Sequence, residues 1–118
     1  MNCKLAGILN GEKWKHYLDI QKRVYYTDGL CPTIHTMQGG QRHIKIMVNE
    51  KGKRYRIRKL TPRECWRFMG FDDSDFDKAK AAGISDCQLY KQAGNSIVVN
   101  VAEAIIKQML AYTKEMKN

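Results

Sequence analysis

The sequence has no uninterrupted apolar run of roughly 18 residues, so nothing in it reads as a membrane-spanning helix. Its first residues, Met1-Asn2-Cys3-Lys4, have no apolar core of the kind a signal peptide needs, and a cytoplasmic location is the expectation. None of the four cysteines (Cys3, Cys31, Cys65 and Cys87) forms a Cys-x-x-Cys pair, and His16, His35 and His43 add no recognised zinc spacing. A metal site is therefore not expected. Reduced thiols are, and Cys65 lies within a helical apolar pattern that suits a core position. There are two prolines, no internal repeat and no low-complexity tract. Acidic residues are scarce in one half only: residues 1–60 hold thirteen Lys/Arg against four Asp/Glu, whereas residues 61–118 hold eight of each. The whole net charge of +9 thus sits in the first half. Positive charge gathered this way suits a polyanionic partner, because each neutralised phosphate releases counterions; a solvated basic face with no partner would look the same.

The chain's 118 residues suit one compact unit, and 43% apolar residues suffice for a small core. The first half reads as short strands and turns. Arg23-Val24-Tyr25-Tyr26 is rich in strand formers and stops at the turn signal Thr27-Asp28-Gly29. Cys31 to Met37 alternates, with Pro32 suited to a first or edge position. His43 to Val48 places Ile44, Ile46 and Val48 on one face, and Asn49-Glu50-Lys51-Gly52 reads as a hairpin turn into Lys53–Leu60. The prediction is a small antiparallel sheet. From Leu60 the pattern is helical. Thr61-Pro62-Arg63-Glu64 is a capping box with proline in the first turn, Gly70 is a stop, and Asp72–Asp75 opens a second short helix that ends at Gly83. Ser85 caps a third helix ending near Gly94, and Ser96 caps a last one from Ile97 to about Tyr112. In that last helix Ile97, Val101, Ile105 and Met109 recur every four residues, and Val98, Ala102 and Ala104 widen the stripe. Such a long apolar helix is either this unit's own core or a surface awaiting another protein; the second is the expectation, with self-association as a consequence. The fold class is α+β, with a recognition region over residues 1–60 and a helical segment over residues 61–118.

Two segments carry a family resemblance. Arg58-Lys59-Leu60-Thr61-Pro62-Arg63-Glu64-Cys65-Trp66-Arg67-Phe68-Met69-Gly70-Phe71 resembles the ninth conserved motif of cytosine-5 DNA methyltransferases. Leu89-Tyr90-Lys91-Gln92-Ala93-Gly94-Asn95-Ser96-Ile97-Val98-Val99-Asn100-Val101 resembles the tenth, and their order matches the family's carboxy-terminal end. Upstream, Ala6–Gly11, Arg23-Val24-Tyr25 and Pro32–Gly40 look like the variable target-recognition region. The resemblance implies that the turn at Asn95, Ser96 and Ile97 lines the pocket for S-adenosylmethionine. It implies that Arg63 and Glu64 brace the recognition region, and that Lys22, Arg23, Thr36, Gln38, Gly39, Gly40, Gln41 and Arg42 face double-stranded DNA. Read without it, Gly94-Asn95-Ser96 is a turn between helices and Gln38–Arg42 an ordinary hairpin loop.

Much of the family's catalytic equipment has no counterpart here. The nucleophilic cysteine of the family follows a proline, and no Pro-Cys occurs; nor does Phe-x-Gly-x-Gly or Glu-Asn-Val. In the family these lie amino-terminal to the segments matched. The implied role is to recognise DNA and complete a cofactor pocket for a catalytic half, in cis or as a separate subunit, with the chain inactive alone. A truncated chain, a split-enzyme subunit and a gene remnant all fit, as do two rivals: a stand-alone DNA-binding module and a remnant without function.

Overall fold

The structure, a computed structural model, describes residues 2–37, 41–50, 52 and 54–117. Four strands form one sheet in chain order: β1 (Leu5–Ile8), β2 (Arg23–Tyr26), β3 (Lys45–Glu50) and β4 (Arg54–Lys59). β1 pairs with β2 and β3 with β4 in antiparallel fashion, but β2 and β3 run parallel, with Val24 opposite Lys45 and Tyr26 opposite Met47. The sheet is therefore mixed, and the fully antiparallel expectation is corrected. The cause lies in the segment expected to be a strand at Cys31–Met37. Residues 30–37 form no strand. Pro32 lacks a ladder donor, and the segment instead runs back to the start of the sheet, so β3 sets out in the same direction as β2. The β3–β4 hairpin closes at Glu50 opposite Arg54, two residues later than the predicted turn. Lys51 and Lys53 of that turn lie outside the described residues.

Between β1 and β2 lie a single 3-10 turn (Glu12–Trp14) and the one-turn helix α1 (Asp19–Lys22). After the sheet come α2 (Pro62–Phe68), α3 (Asp73–Ala81), α4 (Asp86–Asn95) and α5 (Val99–Lys117). The caps follow the sequence. The Thr61 hydroxyl accepts from the Glu64 N–H while the Glu64 carboxylate accepts from the Thr61 N–H, and Ser85 accepts from the Gln88 N–H. Gly70, at φ 86°, ends α2 in a conformation that side-chain-bearing residues rarely adopt.

α4 ends at Asn95, beside Gly94 as expected, but Ser96 is its C-cap rather than the N-cap of α5, and α5 runs from Val99 to Lys117 rather than from Ile97 to about Tyr112. The Ser96 N–H donates to the Gln92 and Ala93 carbonyls, and the first carbonyl of α5 to accept is that of Val98.

Alternation assigns the two sheet faces. Ile44, Ile46 and Val48 face the helices, and their cluster joins Met37, Leu60, Cys65, Met69 and Ala93 in one core. The recognition sheet and the helical segment therefore share buried side chains. Tyr90 Oη donates to the Leu60 carbonyl at 2.6 Å, and Trp66 Nε1 donates to the Leu89 carbonyl at 3.0 Å, which fastens α4 to α2 and the end of β4.

The expectation of a long apolar last helix needs correction. α5 buries no residue. Val101, Ile105, Ile106, Met109 and Leu110 are all more than half exposed, and they share the helix with Glu103 and Lys107, an ion pair at 2.7 Å. α5 thus stands out from the body, which explains a radius of gyration of 18.0 Å where a compact chain of this length has about 13 Å. Among the described residues no helix is long and apolar enough to cross a membrane.

Candidate functional site

The expected cofactor residues lie together on the turn between α4 and α5. Asn95 is the exposed last residue of α4, Ser96 is half-buried and Ile97 is 72% exposed. The Ser96 hydroxyl donates to the Ile97 carbonyl at 2.9 Å, which tightens the turn. Its far side is anchored by the Val99 N–H donating to the Met69 carbonyl at 2.9 Å. A β-carbon at Gly70 would lie 2.8 Å from the Asn100 amide oxygen and 3.2 Å from Val99 Cβ, so the end of α2 and the start of α5 are pressed together. The near side is anchored by Gly94, where a β-carbon would fall 2.3 Å from backbone atoms of His35 and Thr36. The turn is thus exposed but held at both ends by backbone contacts. It presents the Asn95 side chain and the Ile97 side chain to the surface, with the Ser96 hydroxyl partly covered between them.

The second group lies on the recognition side. His35, Thr36 and Arg42 line one concavity with Leu18, Ile20 and Gln21 of the α1 region, and Arg23, Pro32, His35, Arg42 and His43 line an adjoining one that also includes Ile20. The structure therefore brings Arg23, Thr36 and Arg42 together on a shared groove. Lys22 is placed elsewhere: it is half-buried, pairs with Asp19 at 3.1 Å and lines a separate concavity with Leu9, Gly11 and Trp14. Gln41 stands at φ 58°, and its carbonyl is taken by a lysine described below. Gln38, Gly39 and Gly40 lie outside the described residues.

The electrostatics of this groove favour anions. His35 Nδ1 accepts from the Met37 N–H at 3.1 Å. Burial, then the nearby Arg42, pushes the His35 pKa down. Burial, followed by Lys59, Lys45 and His35, does the same to His43. Both imidazoles are therefore neutral near pH 7, and the fixed positive charge comes from Arg23 and Arg42.

The bracing residues are well placed. Glu64 accepts a bidentate pair from Arg58 at 2.7 and 3.0 Å while closing the Thr61 cap, which ties β4 to α2. The Arg58 guanidinium, helped by the Thr61 groups, outweighs the upward push of burial and holds the Glu64 pKa at about 2. Arg63 pairs with Asp77 and lies over the Phe76 ring at 4.7 Å, which joins α2 to α3.

Lys45 was not legible in the sequence. It faces away from the Ile44–Ile46 core yet is only 4% exposed. Its ammonium donates to the carbonyls of Gln21, Gln41 and His43 at 2.8, 2.9 and 3.3 Å and lies over the Trp14 ring at 5.2 Å. One lysine thereby clips α1 to the turn before β3, the two segments that border the groove. A charged residue on an alternating strand normally faces water; Gln41 and His43 lie close in sequence, but the Gln21 carbonyl and the Trp14 ring that complete the site do not, so no local pattern reveals it.

The thiols offer little chemistry. Burial, aided by Cys31 and Glu64, raises the Cys65 pKa to about 12, and burial beside Cys3 raises that of Cys31 to about 11. Both stay protonated at neutral pH and are poor nucleophiles. Among the described residues no cluster of three or more His, Cys, Asp or Glu side chains could hold a metal ion.

Comparison with known proteins adds a family. The family model described as C-5 cytosine-specific DNA methylase matches residues 4–111. The orphan methyltransferase M.SPBetaI of Bacillus phage SPbeta is 41% identical over 134 aligned positions, covering 78% of this chain and 30% of the phage protein. The orphan methyltransferase M.SPRI of Bacillus phage SPR is 63% identical over 65 residues, 55% of this chain and 15% of its own. The type II methyltransferase M2.ScrFI of Lactococcus lactis subsp. cremoris is 55% identical over 62 residues, 52% of this chain and 17% of its own. The chain spans less than a third of the length of each.

Proposed function

Because the chain belongs to the C-5 cytosine-specific DNA methylase family, we propose that it is the DNA-recognition and cofactor-pocket-completing part of a DNA (cytosine-5-)-methyltransferase. The observation that carries this reading is the turn at Asn95–Ile97. It is exposed at Asn95 and Ile97, and anchored by Met69 on one side and by His35–Thr36 on the other, so that a second surface can close over it. A catalytic half, in cis or as a separate subunit, supplies the opposite wall, and residues 61–118 dock on it through this turn and the exposed start of α5.

S-adenosylmethionine, held there, supplies the methyl group transferred to cytosine. The residues of this chain orient and enclose. Asn95 offers an amide and Ser96 a hydroxyl whose proton is committed to the Ile97 carbonyl, leaving its lone pairs to accept. Ile97, projecting 72% exposed, offers apolar cover against water. On the recognition side, residues 1–60 meet double-stranded DNA: Arg23 and Arg42 meet phosphates or guanine edges, and Thr36 and the loop of Gln38, Gly39, Gly40 and Gln41 approach the bases. Glu64 keeps α2 fixed to the sheet and Arg63 keeps α3 fixed to α2, so that the cofactor turn and the DNA groove hold their relation.

The test is reconstitution. The full chain is mixed with the catalytic half of a related phage enzyme, complex formation is verified by size-exclusion chromatography, and transfer of labelled methyl groups to duplex DNA is measured. Methylation in the mixture and none from either part alone is expected. A stable complex with no methyl transfer overturns the proposal.

A further inference from the structure

We propose that the β3–β4 hairpin is a second DNA-contacting surface, separate from the groove at Arg23 and Arg42, and that it takes the phosphate backbone of duplex DNA through Arg54 and Arg56. The inference rests on the DNA-binding reading above and extends it to residues that reading does not use.

The first observation is the exposure pattern. A strand with one face on a core alternates between buried and exposed residues. β4 does not: Arg54, Tyr55, Arg56 and Ile57 are all exposed, and so are Asn49 and Glu50 at the end of β3. The end of the hairpin therefore stands clear of the body as a two-stranded ribbon with both faces in water. A ribbon of this width is one of the two elements that B-DNA's major groove, about 12 Å wide, can admit.

The second observation is charge. Arg54 and Arg56 share one face of β4 by alternation, and Tyr55 on the other face is 68% exposed. The next arginine on the strand, Arg58, is held by both carboxylate oxygens of Glu64 and is not available to a ligand. Arg56 pairs with Glu50 at 3.7 Å, with both side chains more than half exposed, a contact that yields readily to a phosphate. Among the described residues Arg54 has no ion-pair partner.

The third observation is position. The DNA groove adjoins the start of β3, near His43, and the ribbon is its far end. The six residues of β3 set the two about 17–20 Å apart, a little over half a turn of duplex at 3.4 Å per base pair. One duplex can thus lie along the sheet and meet both.

The salt dependence of binding tests this directly, because each phosphate contact adds about 0.9 to the slope of log K against log salt. The full chain is titrated against a mixed-sequence 20-base-pair duplex at several salt concentrations. Arg54→Gln/Arg56→Gln is expected to lower the slope by about 2, whereas Arg54→Lys/Arg56→Lys keeps it. Arg23→Gln/Arg42→Gln lowers the slope through the other surface, and the two losses add. Both hairpin residues are exposed, and circular dichroism confirms that the variants fold. An unchanged slope in Arg54→Gln/Arg56→Gln, with a reduced one in Arg23→Gln/Arg42→Gln, overturns the hairpin proposal and leaves DNA binding by the groove standing. No binding by the unaltered chain overturns both.

Discussion

Single residues fix the relation between the sheet side of the molecule and the Asn95–Ile97 turn. Gly94 is the clearest case. A side chain there has backbone, not a flexible tip, as its neighbour, so relief requires α4 to move away from residues 35–36. Gly94→Ala is expected to destabilise the fold by about 1–3 kcal/mol despite alanine's better helix propensity, measured by denaturant titration. A gain in stability would mean that the contact is loose.

Glu64 makes a different prediction. Its folded pKa of about 2 lies below the ordinary value of 4.5, so its contribution is fully present above pH 4.5 and is lost as pH falls toward 2. The carboxylate is three-quarters covered and bidentate, which makes that contribution about 1–3 kcal/mol. Glu64→Gln is expected to lower stability at pH 7 by this amount and to flatten the acid limb of the stability profile. The capping box made this residue legible in the sequence, because its partners Thr61 and Arg58 lie within six positions of it. Lys45 and Gly94 were not legible, because Gln21 and Trp14, which complete the lysine's site, and residues 35–36, which press on the glycine, are distant in sequence.

At the scale of elements, local signals located most of the structure and misjudged its pairing. The caps at Thr61 and Ser85 and the stop at Gly70 predicted α2 and α4 because each is a short-range hydrogen-bonding rule. Alternation predicted β3 and β4 to within two residues. It also suggested a strand over Cys31–Met37, where the chain instead packs on α4, since alternation cannot distinguish a paired strand from an extended crossover. The parallel pairing of β2 with β3 follows from that crossover. The last helix was found, but its apolar periodicity could not say whether the stripe was covered. In the structure it is bare, and apolar side chains left in water favour association. The isolated chain is expected to self-associate at high concentration, and Ile105→Glu/Leu110→Glu to leave it monomeric, with light scattering as the check. A monomeric unaltered chain at high concentration would contradict this.

For the whole molecule, charge divides along the chain. The basic half holds the sheet, the groove and the β3–β4 hairpin, and the neutral half holds the helices α2 to α5 and the Asn95–Ile97 turn. The shared core through Met37, Ile46, Cys65 and Ala93 makes these halves one mechanical body, which composition alone did not indicate. The family resemblance drew on segments from both halves, but the contact between them is visible only in three dimensions.

Parallel neighbours cannot be joined by a tight turn, so the stretch from Thr27 to Ile44 is a bridge and not a rung of the ladder. A bridge tolerates added span: doubling a flexible loop costs only about 0.6 kcal/mol, and no pairing is broken. The SPbeta protein aligns over more positions than this chain has residues, so it carries sequence with no counterpart here. Residues added to this crossover are expected to leave the strands on either side in register.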